Sequence, residues 1–211
     1  MTTERPALRG LYGITDPTLC PGDDRLVAAV EAALRGGMRI LQYRDKQLPA
    51  AAQLHQARKL HALCQAHGAL FIVNDDIELA QQCGADGVHL GRDDGSVSAA
   101  RRQLGEHAII GCSCYDRLEL ALEAQQLGAD YVAFGRFHAS STKPDAVHAP
   151  IDLLDQASAE LAIPICAIGG IETTNAGALV RRGAHMIAVI NGLFGTTDIE
   201  RRAREFAALF V

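Results

Sequence analysis

The sequence predicts an α/β fold, a single-domain (β/α)8 TIM barrel over residues 1–211. Three observations predict it. First, short apolar runs rich in β-branched and aromatic residues alternate with helical patterns from end to end. Second, a unit of helix end, glycine and short strand recurs. It reads Leu34-Arg35-Gly36-Gly37 before Met38-Arg39-Ile40-Leu41, and Gln82-Cys83-Gly84-Ala85-Asp86 before Gly87-Val88-His89-Leu90. It returns as Gln126-Leu127-Gly128-Ala129-Asp130 before Tyr131-Val132-Ala133-Phe134, and as Arg182-Gly183-Ala184 before His185-Met186-Ile187-Ala188-Val189. Third, no linker or shift of composition interrupts the alternation, and 211 residues suit one domain with a large core. A doubly wound open sheet is the alternative. It fits less well, because Leu11-Tyr12-Gly13-Ile14-Thr15-Asp16-Pro17 is not a GxGxxG turn.

In order, strand one is expected over 11–15 with its helix over 23–35, and strand two over 38–44 with a long amphipathic helix over 49–67. Strand three covers 69–74, where Phe71-Ile72-Val73 stops abruptly at Asn74-Asp75-Asp76, and a helix runs over 76–83. Strand four is 87–90, followed by Asp93-Asp94-Gly95 and a helix over 96–104. Strand five covers 108–112 and its helix 116–127; strand six covers 131–135 and opens into a long polar loop through Lys143 to Pro150. A helix over 151–161, strand seven over 164–168, a helix over 174–182, strand eight over 186–190 and a helix over 198–210 complete the chain. The recurring glycines sit where a helix ends and the chain must turn, a position that favours a left-handed residue.

Composition narrows the function classes. Apolar residues make up 48% and charged residues 21%, and the net charge of −5 offers no basic surface for nucleic acid. No apolar run approaches the roughly 18–20 residues of a membrane span. Met1 to Arg9 lacks the apolar core of a signal peptide, so a cytoplasmic protein is expected. The six cysteines form no CxxC pair and are expected as free, buried thiols, and the eight histidines show no HExxH spacing. The sequence is compatible with a homo-oligomer.

A barrel builds its active site from the loops after its strands. Strand one supplies Thr15 and Asp16; strand two supplies Gln42-Tyr43-Arg44-Asp45-Lys46. Strand side chains alternate, so Gln42, Arg44 and Lys46 share a face, and inward-pointing cations need an anion. Strands three and four add Asn74, Asp75, Asp76, Asp93 and Asp94. Neighbouring strands lie about 4.8 Å apart, close enough for carboxylates from both exits to share a hard cation such as Mg²⁺. Cations beside such a pair match a metal-bound diphosphate. A second reading competes at Asp75, since Asp75 with Glu78 three residues on is also a helix-capping pattern. His89, inside strand four, is expected as a satisfied structural histidine rather than a ligand. Ser113 after strand five is a candidate site hydroxyl or a turn residue. Ser140-Ser141-Thr142-Lys143 lies on the longest loop of the presumed catalytic face. Ile168-Gly169-Gly170-Ile171 precedes a helix and exposes backbone N–H groups, a seat for phosphate that Ile190-Asn191-Gly192 would share.

Together these residues resemble the thiamine-phosphate synthase family. The motifs that carry the resemblance are Gln42-Tyr43-Arg44-Asp45-Lys46, Asn74-Asp75-Asp76, Gly87-Val88-His89-Leu90-Gly91, Ser113, Thr142-Lys143 and Ile168-Gly169-Gly170-Ile171. They cover nearly the whole chain in order. The resemblance implies a transferase that joins a pyrimidine diphosphate to a thiazole phosphate and releases diphosphate by a dissociative, Mg²⁺-assisted reaction. It implies that Gln42, Arg44, Lys46 and Asn74 hold the pyrimidine diphosphate, with Tyr43 and Asp45 of the same segment counted as substrate-binding. Asp75 and Asp94 would hold Mg²⁺, Ser113 would contact the pyrimidine, and Lys143 the diphosphate. Ser140 and Thr142 would meet the thiazole phosphate, with Gly170, Ile190 and Asn191 completing its seat, and Ser141 of the same loop is counted as substrate-binding. Arg44, Lys46, Ser113 and Lys143 are the expected catalytic residues. The chain departs from the family's pattern at Gly135-Arg136 and Ala139-Ser140, where prolines are usual, and at Asn191, where serine is usual. A thiazole tautomerase or regulatory relative would share the barrel without needing Arg44, Lys46, Asn74 and Asp75 together. A binding protein for thiamine precursors is the non-enzymatic alternative.

Overall fold

The computed structural model describes residues 7–92, 94–139 and 147–211. Eight parallel strands close a barrel in sequence order. They are β1 (Gly10–Ile14), β2 (Ile40–Tyr43), β3 (Leu70–Asn74), β4 (Gly87–Leu90), β5 (Ile109–Tyr115), β6 (Tyr131–Phe134), β7 (Ile165–Ile168) and β8 (Met186–Val189). Between them run α1 (Asp23–Arg35), α2 (Ala50–Ala66), α3 (Ile77–Cys83), α4 (Val97–Leu104), α5 (Leu118–Gln126), α6 (Leu153–Glu160) and α7 (Thr173–Arg181). A four-residue helix, α8 (Asn191–Phe194), precedes α9 (Ile199–Ala207).

Strand alternation splits the apolar residues into two cores. Tyr12, Ile14, Ile40, Ile72, Tyr131, Cys166 and Met186 pack inside the barrel. Their outward neighbours Leu11, Leu41, Phe71, Val73, Val132 and Ile187 pack against the helices. Because both faces of each strand are covered, the strands read as continuous apolar runs.

The recurring unit before the strands has a physical role at the amino-terminal end of the barrel. Asp86 accepts from the Phe71 N–H at 2.7 Å, and its own N–H donates to the Phe71 carbonyl at 3.0 Å. Asp130 repeats this on Ile110 at 2.8 and 2.7 Å, and also takes Arg101 Nη2 at 2.7 Å. In the last copy His185 stands in for the aspartate: Nδ1 accepts from the Ile165 N–H at 3.2 Å and its N–H donates to Ile165 O at 2.8 Å. Each unit thus ties the entry of one strand to the preceding strand.

Two boundaries differ from the sequence reading in ways that matter. β5 runs on to Tyr115, two residues beyond Ser113, and its register with β6 shifts between Ser113 and Tyr115. Arg44, read as part of strand two, lies just past it. The helix α8 had no sequence signal, since four residues cannot show a helical period. All six cysteines are free. No described helix is long and apolar enough to cross a membrane.

Candidate active site

At the carboxyl end of the strands a cavity of about 310 Å³ opens. Its wall includes Gln42, Arg44, Asn74, His89, Ser113, Gly170, Ile190 and Asn191, from six of the eight strand exits and strand ends. The floor is a continuous chain of hydrogen bonds. Gln42 Nε2 donates to Tyr12 Oη at 2.8 Å, and Tyr12 Oη meets Tyr131 Oη at 2.8 Å. Tyr131 Oη meets His89 Nδ1 at 2.9 Å, and His89 Nε2 meets Ser113 Oγ at 2.9 Å. Burial pushes both phenols well above their usual range, so they stay protonated and neutral. The Tyr131 ring fits only because residue 111 is glycine: a Cβ there would overlap it.

Above the floor stand the charges. Thr15, 3% exposed, fixes the backbone of Arg44 twice, accepting from its N–H at 2.8 Å and donating to its carbonyl at 3.1 Å. Lys46 Nζ lies 2.8 Å from Asp75 Oδ2. Asp75 is left-handed, with φ 65°, and its N–H donates to the His89 carbonyl at 2.8 Å. That turn separates the two readings of this segment. Asp76, not Asp75, caps α3, accepting from the Leu79 N–H at 2.8 Å. Asp75 is left to face Lys46 and Asp94.

The two carboxyls are in mutual contact and pull apart electrostatically. Burial would raise Asp75, but its bonds with Lys46, Asp94 and Asn74 outweigh this and lower it. Asp94, whose Oδ2 accepts from the Gly91 N–H at 3.1 Å, is raised by burial and by the like charge of Asp75. A hard cation would relieve that repulsion. Two carboxylates leave room for substrate phosphate oxygens and water, the donor set in which Mg²⁺ is usually bound. The residues present therefore fit Mg²⁺. Lys46, Asp75 and Asp94 stand beside the cavity wall rather than in it, joined to it through Asn74.

The glycine seat lies across the mouth. Gly169 and Gly170 have φ of 104° and 60°, where a side chain is strained. A Cβ at Gly170 would overlap the Ala139 carbonyl, and one at Gly169 would overlap Arg136. Asn175 holds the turn, its Nδ2 donating to the Gly170 carbonyl at 3.1 Å and its Oδ1 accepting from the Glu172 N–H at 2.9 Å. The N-termini of α7 and α8 flank this turn, which suits an anion. Glu172 also lines the cavity but is paired, with Arg202 Nη1 3.0 Å from its Oε2.

Two sequence expectations are corrected. Tyr43, expected to bind substrate, is 2% exposed and points outward, its hydroxyl donating to Gln56 Oε1 at 2.9 Å under α2. Asp45 folds its own loop instead, its Oδ1 accepting from the N–H groups of Gln47 and Leu48 at 2.8 and 3.0 Å. The same period of two that turns Gln42 and Arg44 inward turns Tyr43 outward. His89 has both ring nitrogens partnered, as expected of a structural histidine, yet it also lines the cavity. Asp93, Ser140, Ser141, Thr142 and Lys143 lie outside the described residues. Tyr12, Tyr115 and Tyr131 line the cavity without having been singled out, and so does Arg136, which the sequence marks only as a departure from the family's pattern. For Tyr12 and Tyr131 the available signal was a phenol on the inward parity of a strand, which needs a partner there.

A closed parallel barrel with cations, a carboxylate pair and a glycine turn around a cavity at its carboxyl end has the layout of a barrel enzyme, whose active site lies at that end. The sequence model of the family described as thiamine monophosphate synthase matches residues 11–193. A thiamine-phosphate synthase of Thioalkalivibrio sulfidiphilus is 53% identical over 210 residues, covering 100% of this chain and 99% of its own. One of Chromobacterium violaceum is 56% identical over 205 residues, covering 97% and 98%. The solved thiamine phosphate pyrophosphorylase of Pyrococcus furiosus superposes with a TM-score of 0.85 at 33% identity, over 95% of each chain. The chain belongs to the thiamine-phosphate synthase family, and it is a transferase.

Proposed function

We propose that the chain joins 4-amino-2-methyl-5-(diphosphooxymethyl)pyrimidine to 4-methyl-5-(2-phosphooxyethyl)thiazole and releases diphosphate, with the diphosphate leaving before the thiazole nitrogen arrives. The observation that carries this reading is the convergence of Arg44, Lys46, Asn74, Asp75 and Asp94 at adjacent strand exits, opposite a separate glycine seat. One ligand needs a metal and cations for a diphosphate; the other needs only a phosphate cradle.

Arg44, fixed by Thr15, and Lys46 would hold the diphosphate and receive the charge it gains as it departs. Asn74 would orient the same group from the wall. Ser113, positioned by His89, would hydrogen-bond the pyrimidine. The relay of His89, Tyr131, Tyr12 and Gln42 behind it keeps that hydroxyl in one place with neutral phenols. Mg²⁺ held by Asp75 and Asp94 would supply charge neutralisation for the leaving diphosphate. The thiazole phosphate would sit on the Gly169–Gly170 turn with Ile190 and Asn191; by the family resemblance Ser140 and Thr142 would contact it as well, and Lys143 would meet the diphosphate. Chemistry by charge clamping fits the floor: Ser113 faces a histidine whose other nitrogen bonds a phenol rather than a carboxylate.

The test mixes both substrates with Mg²⁺ and follows diphosphate and thiamine phosphate. Release of one diphosphate per thiamine phosphate is expected. Tight binding of both compounds without release would instead favour a binding protein, and thiazole turnover without diphosphate release a tautomerase.

A further inference from the structure

We propose that Tyr115, backed by Arg92, is a water-excluding wall that decides whether the activated pyrimidine reaches the thiazole or hydrolyses. The inference rests on the reaction proposed above. Tyr115 ends β5 on the inward parity of Ile109, Gly111 and Ser113, and it lines the cavity two residues beyond the hydroxyl assigned to the pyrimidine. Cys114 between them points into the outer core.

Four features hold the ring in place. The register with β6 shifts at this point, so that Tyr115 pairs with Phe134 directly after Ser113 pairs with Ala133. Such irregularities re-aim a side chain at a barrel rim. Tyr115 has φ 56°, a left-handed conformation that a bulky residue adopts only when its surroundings require it. Its carbonyl is tied to the next strand exit by the Gly135 N–H at 2.9 Å. On the solvent side the exposed guanidinium of Arg92 lies 5.0 Å from the ring centroid. The phenol hydroxyl makes no hydrogen bond among the described residues, so what the site uses is the ring.

The chemistry explains why such a wall is needed. Once the bond from the pyrimidine methylene to the diphosphate oxygen breaks, its electron pair leaves with diphosphate and the methylene carbon is electrophilic. The thiazole nitrogen can donate its lone pair to that carbon and form the product. Water can do the same, forming a C–O bond and giving up a proton to solvent, which yields the hydroxymethylpyrimidine and free diphosphate. Closing a site against water suppresses such side reactions, and an aromatic face favours a cation beside it.

The experiment measures diphosphate released per thiamine phosphate formed, and diphosphate released from the pyrimidine substrate alone. Tyr115→Asn removes the ring while accepting the left-handed backbone. The ratio is expected to rise about thirtyfold, the fold-change of a lost desolvated cation–π contact. Tyr115→Phe should keep the wild-type ratio, and Arg92→Gln should raise it by less than Tyr115→Asn. A Tyr115→Asn enzyme that turns over slowly but at the wild-type ratio overturns the proposal, since a merely structural ring changes rate without changing partition. Should Tyr115→Asn fail to fold, an unchanged ratio in Arg92→Gln or an uncoupled Tyr115→Phe overturns it equally. If wild-type protein releases no diphosphate with both substrates present, the proposed reaction fails rather than the wall.

Discussion

Asp75→Asn separates the metal from the fold. Asp76 is the residue that caps α3, so removing the charge at Asp75 leaves the cap in place. Asparagine tolerates the left-handed backbone at φ 65°. The ion pair it breaks, Lys46 to Asp75 at 2.8 Å, involves a lysine that is 60% exposed. Such a pair contributes about 0–1 kcal/mol, so the melting temperature should move by no more than about 2–4 °C. The effect on turnover should be far larger. Halving the carboxylate charge offered to Mg²⁺ while diphosphate leaves should cost about 3 kcal/mol, or roughly a hundredfold in rate. Steady-state assays at low and high Mg²⁺, beside thermal melts, read both quantities. Added Mg²⁺ should recover part of the loss. Asp76→Ala supplies the converse: a lost cap of about 1 kcal/mol with turnover largely kept. Full activity of Asp75→Asn at low Mg²⁺ would refute the metal assignment.

The remaining predictions use the same site. Asp94, whose carboxyl is raised by burial and by Asp75, is charged at a cost in the folded chain at neutral pH; that penalty is present above its ordinary value and fades as pH falls through the raised one. Asp94→Asn should therefore raise the melting temperature in metal-free buffer at pH 7 while lowering turnover, and Mg²⁺ should stabilise the wild type more than the variant; a lower metal-free melting temperature would contradict this. Thr15→Val removes both bonds to the Arg44 backbone, so kcat/KM for the pyrimidine diphosphate should fall roughly five- to thirtyfold, from about 1–2 kcal/mol of lost hydrogen bonding. Equal losses against both substrates would show that Thr15 serves the fold instead. Gly170→Ala, strained at φ 60° and overlapping the Ala139 carbonyl, should raise KM for the thiazole phosphate more than for the pyrimidine diphosphate, as competition with inorganic phosphate at that seat would also report.

The sequence by itself determined the barrel, because periodicity and glycine placement are local: strand and helix patterns alternate through eight strands, and the glycine unit recurs four times. It also brought Gln42, Arg44, Asn74, Ser113, Gly170, Ile190 and Asn191 to one end of the barrel, since a parallel barrel sends the carboxyl end of every strand to one face, and all of them line the cavity there. What tertiary structure decided are the features that depend on a neighbour. Tyr43 and Asp45 left the site because one packs on Gln56 of α2 and the other turns back on its own loop. The capping pattern around Asp75 could not say which aspartate caps until a left-handed residue moved the duty to Asp76. The relay from Gln42 through two tyrosines to His89 joins residues up to 119 positions apart, and no local pattern encodes a bond between strands that far separated. Tyr115 entered the cavity because β5 outlasts its apolar run, held by pairing with β6 rather than by its own propensity.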